Sequence, residues 1–338
     1  MPSYFLLRRR PNGEYYAEWS ERLPGSAVVE WGGEAKLGES KREVSLREVG
    51  LPDESEYEVK ADSAEVPVLA GRPACTNVSL LKSLLQKAVR RRQKRQAVWA
   101  AGALLVLSPD QLLRRLPIVA LEDVALTTDF PTLVWMMAAS SKGWVPRSNH
   151  LQWLLNSVAT LCEVEEQEVH GAADTVVRDE ELARRWGNCT ANLTQLLSLK
   201  ARLMYGGMQC DMSMLRWYTN TWHMRFQQQR AVPTQPASTF VKSLPLPAEL
   251  PLEAWIPAAC DFHCSNIIPR IMTENPHLRL SEDTLKRLIW DFSSSVNTRR
   301  LPMPPHSPSE DDKREWDAIK RIVMKTAQCI IKSNLRYV

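Results

Sequence analysis

Five cations crowd six positions, Arg90, Arg91, Arg92, Lys94 and Arg95, and they are the residues of this 338-residue chain whose type and spacing best suit binding chemistry. Guanidinium forks match the geometry of phosphate oxygens, and clustered cations displace counterions from a nucleic-acid backbone. Five charges in so short a run cannot share one helix face, so several must reach solvent. The chain carries no signature of a base-reading fold, so the contact expected here is to the backbone of DNA or RNA, without sequence preference. The same run could act as a nuclear-import signal. The plainer reading is that these cations pair with acids of the same chain or are solvated.

Cys260, His263 and Cys264 bring three donor atoms close together. Zinc takes four ligands, usually as two close pairs, and no second pair lies nearby. No metal and no cofactor is therefore expected, and a thiol and a hydrogen-bonded imidazole at a helix start is the plainer account. Asp261 and Asn266 have the D-x-x-x-x-N spacing of the catalytic loop in aminoglycoside-phosphotransferase-like kinases, with Asp291 as a second metal-binding acid. Ala259-Cys260 replaces their preceding His–Gly, however, and no Gly-rich strand pair with a Lys lies upstream. Glu163, Glu165, Glu166 and Glu168 form an acidic loop that could hold cations or basic partners, although such loops are usually solvated surface. Met204, Met208, Met212, Met214, Trp217 and Trp222 fall at helical spacing, as core or as an adaptable groove for a partner helix.

The elements that must position these residues follow from composition and period. Apolar residues make up 44% and charged residues 24% of the chain, which allows a sizeable core. Net charge is only +4, but it is segregated. Residues 79–116 carry +8 and residues 117–181 carry −8, blocks able either to neutralise each other or to present a basic surface. Seven scattered Cys, odd in number, suit reduced thiols in a reducing compartment. The first apolar run is short and precedes its charges, unlike a signal peptide. The longest apolar stretch, Ala97–Leu107, has eleven residues, too few to span a bilayer. An intracellular protein of nucleus or cytoplasm, without membrane contact, is expected, and the Asn77, Asn188 and Asn192 sequons read as chance matches.

The period predicts a mainly α protein, a helical array or bundle, with a small β-rich N-terminal module. Tyr4–Arg9, Glu14–Trp19 and Ala27–Trp31 are β-prone, with a hairpin turn at Pro11-Asn12-Gly13 and punctuation at Gly32-Gly33. Helical periodicity begins at Ser79, the expected N-cap, and continues through Ala97–Leu107, a restart at Ser108-Pro109, a break or kink at Pro117, and segments over Leu133–Ala139, His150–Leu161, Asp179–Trp186, Leu193–Leu203 and Met212–Phe226. Five prolines in 231–251 suit an extended linker or a surface strap. Leu285–Phe292 and a final amphipathic helix from about Ser309 to Leu335 follow. The expected organisation is a β-rich module over 1–78, a helical domain over 79–230, the strap, and a C-terminal helical unit over 252–338.

Within the helical region, Leu85-Gln86-Lys87-Ala88-Val89-Arg90, Ala97-Val98-Trp99-Ala100, Arg114-Arg115-Leu116 and Ala120-Leu121-Glu122-Asp123-Val124-Ala125-Leu126 form a series. It resembles the C-terminal helical region of the replication-associated recombination protein A family, relatives of clamp-loader subunits. The likeness covers residues 80–126. It implies a collar-type helical bundle, self-association, and work with the replication machinery at stalled forks. The chain departs from the family in having no G-x-x-x-x-G-K-[ST] loop, so ATP-driven activity is not implied. Without the family, Leu121 and Val124 read as core, and Glu122 and Asp123 as caps or partners of Arg114 or Arg115.

Three function classes follow from the sequence. The first is a non-catalytic accessory protein of DNA replication or repair that grips the nucleic-acid backbone through the 90–95 surface. The second is a structural or adaptor protein without nucleic acid, whose basic block pairs with its own acidic block. The third is an enzyme whose site is assembled from distant residues.

Overall fold

Pro11-Asn12-Gly13 turns the chain where the sequence predicts a hairpin. Gly13 holds φ +88°, a left-handed conformation that costs a residue with a side chain about 1–2 kcal/mol. The Asn12 side-chain oxygen accepts from the Glu14 N–H at 3.1 Å. The turn joins β1 (Tyr4–Arg9) to β2 (Tyr15–Ser20) in antiparallel register, Tyr4 opposite Ser20. With β3 (Val28–Leu37) and β4 (Arg42–Gly50) they form a sheet ordered β2-β1-β4-β3, in which β1 and β4 run parallel. This computed structural model describes residues 2–25, 27–37, 42–50, 67–165, 167–187, 190–234, 239–251, 254–255, 266–292 and 309–334. Among them are eleven helices and this one sheet, so the chain is mainly α with a small N-terminal β module.

One local expectation is corrected and one, the break or kink at Pro117, is narrowed. Gly32-Gly33 does not interrupt the strand; β3 runs through it. A Cβ on Gly32 would meet the Arg47 side chain at 3.2 Å and one on Gly33 the Trp31 ring at 2.6 Å. The glycines are there so that these side chains can lie across the strand, and Arg47 Nη1 donates to the Gly33 carbonyl at 2.9 Å. Pro117 does not end its helix either. α3 (Pro109–Asp123) contains it, and the buried Leu112, Leu113, Leu116, Val119, Ala120 and Leu121 around it offset the roughly 3 kcal/mol cost of an internal proline.

The chain groups into two compact units. One comprises Met1–Val66, Leu113–Ser157 and Glu168–Thr239; the other comprises Pro67–Leu112, Val158–Gln167 and Phe240–Val338. Their segments interleave along the sequence, whereas composition divides the chain consecutively. Composition sees only neighbours in sequence, and compactness depends on contacts between residues far apart.

In the first unit, tryptophans tie the sheet to helices. β2 alternates, so Tyr15, Ala17 and Trp19 are buried while Tyr16 and Glu18 are less so. Trp19 donates its N–H to Thr194 Oγ1 at 3.1 Å and its indole to Ser198 Oγ at 3.2 Å, both on α7 (Thr190–Met204). Trp135 of α4 (Phe130–Ser140) is fully buried. Its indole donates to the Phe5 carbonyl at 2.8 Å, and its ring meets Trp31 and Trp144 edge-on at 5.9 and 5.3 Å. α6 (Asp179–Trp186) and α8 (Gln209–Gln227) complete the helices that belong wholly to this unit, and the Tyr218 hydroxyl donates to the Leu121 carbonyl at 2.8 Å. An extended segment before α6 is held by α8: Asn220 Oδ1 accepts from the Val177 N–H and its Nδ2 donates to the Thr175 carbonyl, each at 2.9 Å.

In the second unit, α1 (Val78–Arg90) and α2 (Lys94–Leu107) pack together. The N-cap of α1 is Asn77, not Ser79: its side-chain oxygen accepts from Leu80 N at 3.1 Å, the separation an N-cap requires. The later part of the proline-rich segment, from Phe240, belongs to this unit. Leu246 bridges Leu69, accepting from Ala70 N at 2.7 Å and donating to the Val68 carbonyl at 2.9 Å, and Trp99 of α2 donates its indole to the Pro247 carbonyl at 3.1 Å. α9 (Ile267–Glu274), α10 (Glu282–Phe292) and α11 (Glu310–Asn334) share a core of Ile267, Ile271, Leu285, Leu288, Ile319 and Val323. A reciprocal cap starts α11: Ser309 Oγ accepts from Asp312 N at 3.1 Å, and Asp312 Oδ2 accepts from Ser309 N at 3.2 Å. Among the described residues, no helix is long and apolar enough to cross a membrane.

Replacing Trp135 by Ala is expected to cost about 3–5 kcal/mol. Trp135→Phe keeps most of the buried ring and loses the indole's hydrogen bond to the Phe5 carbonyl, for about 0.5–1.5 kcal/mol. Urea unfolding of both variants, with the Phe variant the less destabilised, checks the assignment.

Candidate functional site

The cationic run is not one helix but a corner. α1 ends at Arg90, and α2 begins at Lys94. Between them Arg92 adopts φ +61°, rare for a residue with a Cβ. Gln93 N donates to the Ala88 carbonyl at 2.8 Å and Arg92 N to the Val89 carbonyl at 3.0 Å. This is the paired hydrogen-bond pattern of a Schellman C-cap, with arginine in the place usually taken by glycine.

What holds Arg92 there is its side chain. Its Nε donates to the Cys162 carbonyl and its Nη2 to the Glu163 carbonyl, both at 3.2 Å. These carbonyls are at the C-terminus of α5 (Ser148–Glu163), where unsatisfied oxygens and the helix dipole favour a cation. Lys94 adds an ion pair with Glu163 Oε1 at 2.9 Å, and Arg92 lies 3.6 Å from Glu165. Lys94 also sits 5.6 Å from the centroid of the Phe240 ring. Arg90 is buried. Arg91 is half-buried, and its pKa is lowered first by burial and then by the charge of Arg90. Arg95 is exposed. Of the five residues singled out, Arg92 and Lys94 thus face the acidic loop, Arg90 is turned inward, and Arg95 is open to solvent.

Other candidates sort as follows. Cys260, His263 and Cys264 lie outside the described residues, as do Asp261 and Glu166. Asn266 is the N-cap residue of α9, without a side-chain cap, and Asp291 is on α10. Among the described residues, no group of three His, Cys, Asp or Glu could hold a metal ion. Arg115 lies 3.4 Å from Glu122 and 3.6 Å from Asp211, while Arg114 Nη2 donates to the Tyr205 carbonyl at 3.0 Å. Met214 and Trp222 are buried, whereas Met204 and Met208 are exposed.

The sequence reading missed a buried polar cluster in the first unit. Glu48 of β4 is only 4% exposed. Its Oε2 accepts from the Trp144 indole at 2.8 Å, its Oε1 is 3.0 Å from His150 Nε2, and Arg147 pairs with both Glu48 and Glu30. Arg147 N donates to His150 Nδ1 at 3.0 Å, which leaves Nε2 as the ring nitrogen on the Glu48 side. Burial pushes the Glu48 carboxyl up, but His150, Trp144 and Arg147 outweigh it and hold the group below its usual range. Asp129, half-buried, behaves oppositely: burial and Glu14 push it up to about 6 against Arg10 and Ser157. Two clefts of about 300 Å³ occur in this unit, one lined by Lys36, Glu43, Lys142 and Tyr205, the other by Glu18, Trp19, Ala183 and Thr190. Neither is lined by Glu48 or His150. No sequence signal marks Glu48, because an acid in a strand ordinarily reads as an outward residue.

No protein-family model, curated protein or solved structure matches the chain.

Arg92→Gly is expected to unfold at higher denaturant than Arg92→Ala, by about 1 kcal/mol, because both lose the guanidinium while only alanine keeps the left-handed strain. An ordinary helical site gives the reverse order.

The two acids predict opposite pH limbs. The stability contributed by Glu48 is complete above its ordinary value of 4.5 and is lost as pH falls through its lower folded value. The contribution of Asp129 is complete below 3.8 and is lost as pH rises through about 6. Urea titrations at stepped pH should show Glu48→Gln flattening the first limb and Asp129→Asn the second.

Proposed function

We propose that this is a non-catalytic interaction protein and that its 90–95 corner is a structural joint, not its binding surface. The observation that carries this reading is the Arg92 guanidinium on the last carbonyls of α5, reinforced by Lys94 on Glu163. A cation that closes a helix C-terminus and holds its own backbone in a left-handed turn has two of its five N–H donors committed to those carbonyls and not to a phosphate. The adaptor reading, in which basic and acidic blocks of the chain neutralise each other, accounts for these contacts directly. The resemblance of residues 80–126 to the collar helices of the replication-associated recombination protein A family supports an assembly role. It keeps accessory work in DNA replication or repair as the second reading, favoured at the corner by exposed Arg95.

A salt titration separates the two. If Arg91, Arg92 and Lys94 contact phosphates, Arg91→Gln/Arg92→Gln/Lys94→Gln flattens the slope of log K against log salt by about 2–3 units on duplex DNA. The expected outcome is a folded but less stable variant with the parent's slope, read by fluorescence anisotropy with circular dichroism as the folding control. A flattened slope in a folded variant returns the corner to nucleic-acid binding.

A further inference from the structure

We infer that the second half of α11 is a docking face for the phosphate backbone of duplex nucleic acid. This rests on the second reading above, accessory work on nucleic acid, and moves the contact from the 90–95 corner to this helix. The helix divides by charge. Its first eight residues hold Glu310, Asp311, Asp312, Glu315 and Asp317, and four of these acids are engaged locally: Lys313 with Glu310, Arg314 with Asp311, Lys320 with Asp317, and Arg287 with Asp312. From Ala318 to Asn334 the helix carries Lys320, Arg321, Lys325 and Lys332 and no acid. Arg321, Lys325 and Lys332 are exposed and, among the described residues, form no ion pair.

These three cations form a row. At 100° per residue they fall within a sector of about 40°, and at 1.5 Å per residue the row is about 16 Å long. The buried Ile319, Val323, Ala327 and Ile331 belong to the opposite side. Complementing the helix dipole explains Lys332, in the last turn. It does not explain Arg321 and Lys325, because that effect fades within one turn of the end.

The chemistry of the partner follows from what surrounds the row. Ala318 and Gln328, each about 20° beyond its edges, are small or polar, and Met324, an exposed large apolar side chain of the helix, lies about 60° round the helix from Arg321, so the row itself carries no large apolar anchor of the kind that dominates protein–protein hot spots. The apolar face of α11 is packed in the bundle core, so the helix has none free to enter a lipid interface. A regular array of cations with neither feature suits a polyanion approached by charge alone. Duplex nucleic acid presents one phosphate per 3.4 Å of each strand.

The experiment uses the full chain and a labelled duplex DNA between 50 and 200 mM salt. Three phosphate contacts give the parent a slope of about −2.7, a weakening of about 40-fold across that range. Arg321→Gln/Lys325→Gln/Lys332→Gln is expected to remove most of that slope while keeping its helix content, because Gln and these cations have similar helix propensities. The charge-retaining Arg321→Lys/Lys325→Arg/Lys332→Arg is expected to keep it. A parent that binds with a slope unaffected by the α11 triple change overturns the inference, as does a parent that binds only anionic phosphatidylserine vesicles, or neither probe. Loss of the slope in the corner variant instead overturns the structural-joint reading, so the two failures are distinguishable.

Discussion

The guanidinium of Arg92 on the carbonyls of Cys162 and Glu163 is the contact on which the joint of the second unit depends. It satisfies two orphan acceptors where α5 ends, and it holds the left-handed residue that lets α1 stop and α2 begin. Lys94 reinforces the same end of α5 through Glu163. Once the corner is set, α2 presents Trp99 and Gly102 to the strap. At Gly102 an added Cβ would come within 3.0 Å of Leu246, so the absence of a side chain is what lets the strap close over the helix.

The first unit is organised by buried polar groups within an aromatic setting. Trp135, Trp144 and Trp19 each bury an indole and each give its N–H a named acceptor: Phe5, Glu48 and Ser198. Buried donors left unpaired cost about 1–3 kcal/mol each, so these bonds select one arrangement of sheet and helices among the many that apolar burial alone would allow. Glu48 extends the same logic to a charge. Its carboxylate tolerates burial because an imidazole, an indole and a guanidinium surround it, and the loop carrying Trp144 and Arg147 is thereby held against β4 and β3.

Much of the element list was legible in the sequence. β1 and α6 have the bounds that alternation and helical period predict, and α4, α5, α7, α8, α10 and α11 differ by a few residues at their ends. β4 was not read, although its Val44, Leu46 and Glu48 alternate inward, because the segment is polar and charged between them. The 90–95 run was legible as a cluster of cations. Its role was not, because the acceptors for Arg92 lie seventy and seventy-one residues away.

By itself the sequence determined the mainly α character, the N-terminal hairpin, the helical period of the array and the charge segregation, because each is written in residues near one another along the chain. Only the tertiary structure decided that the corner's cations meet the end of α5, that Glu48 is an inward acid with three partners, and that Arg321, Lys325 and Lys332 look outward with no ion pair among the described residues. Whether a charge is spent or free depends on what lies across from it in space, and local sequence does not encode that.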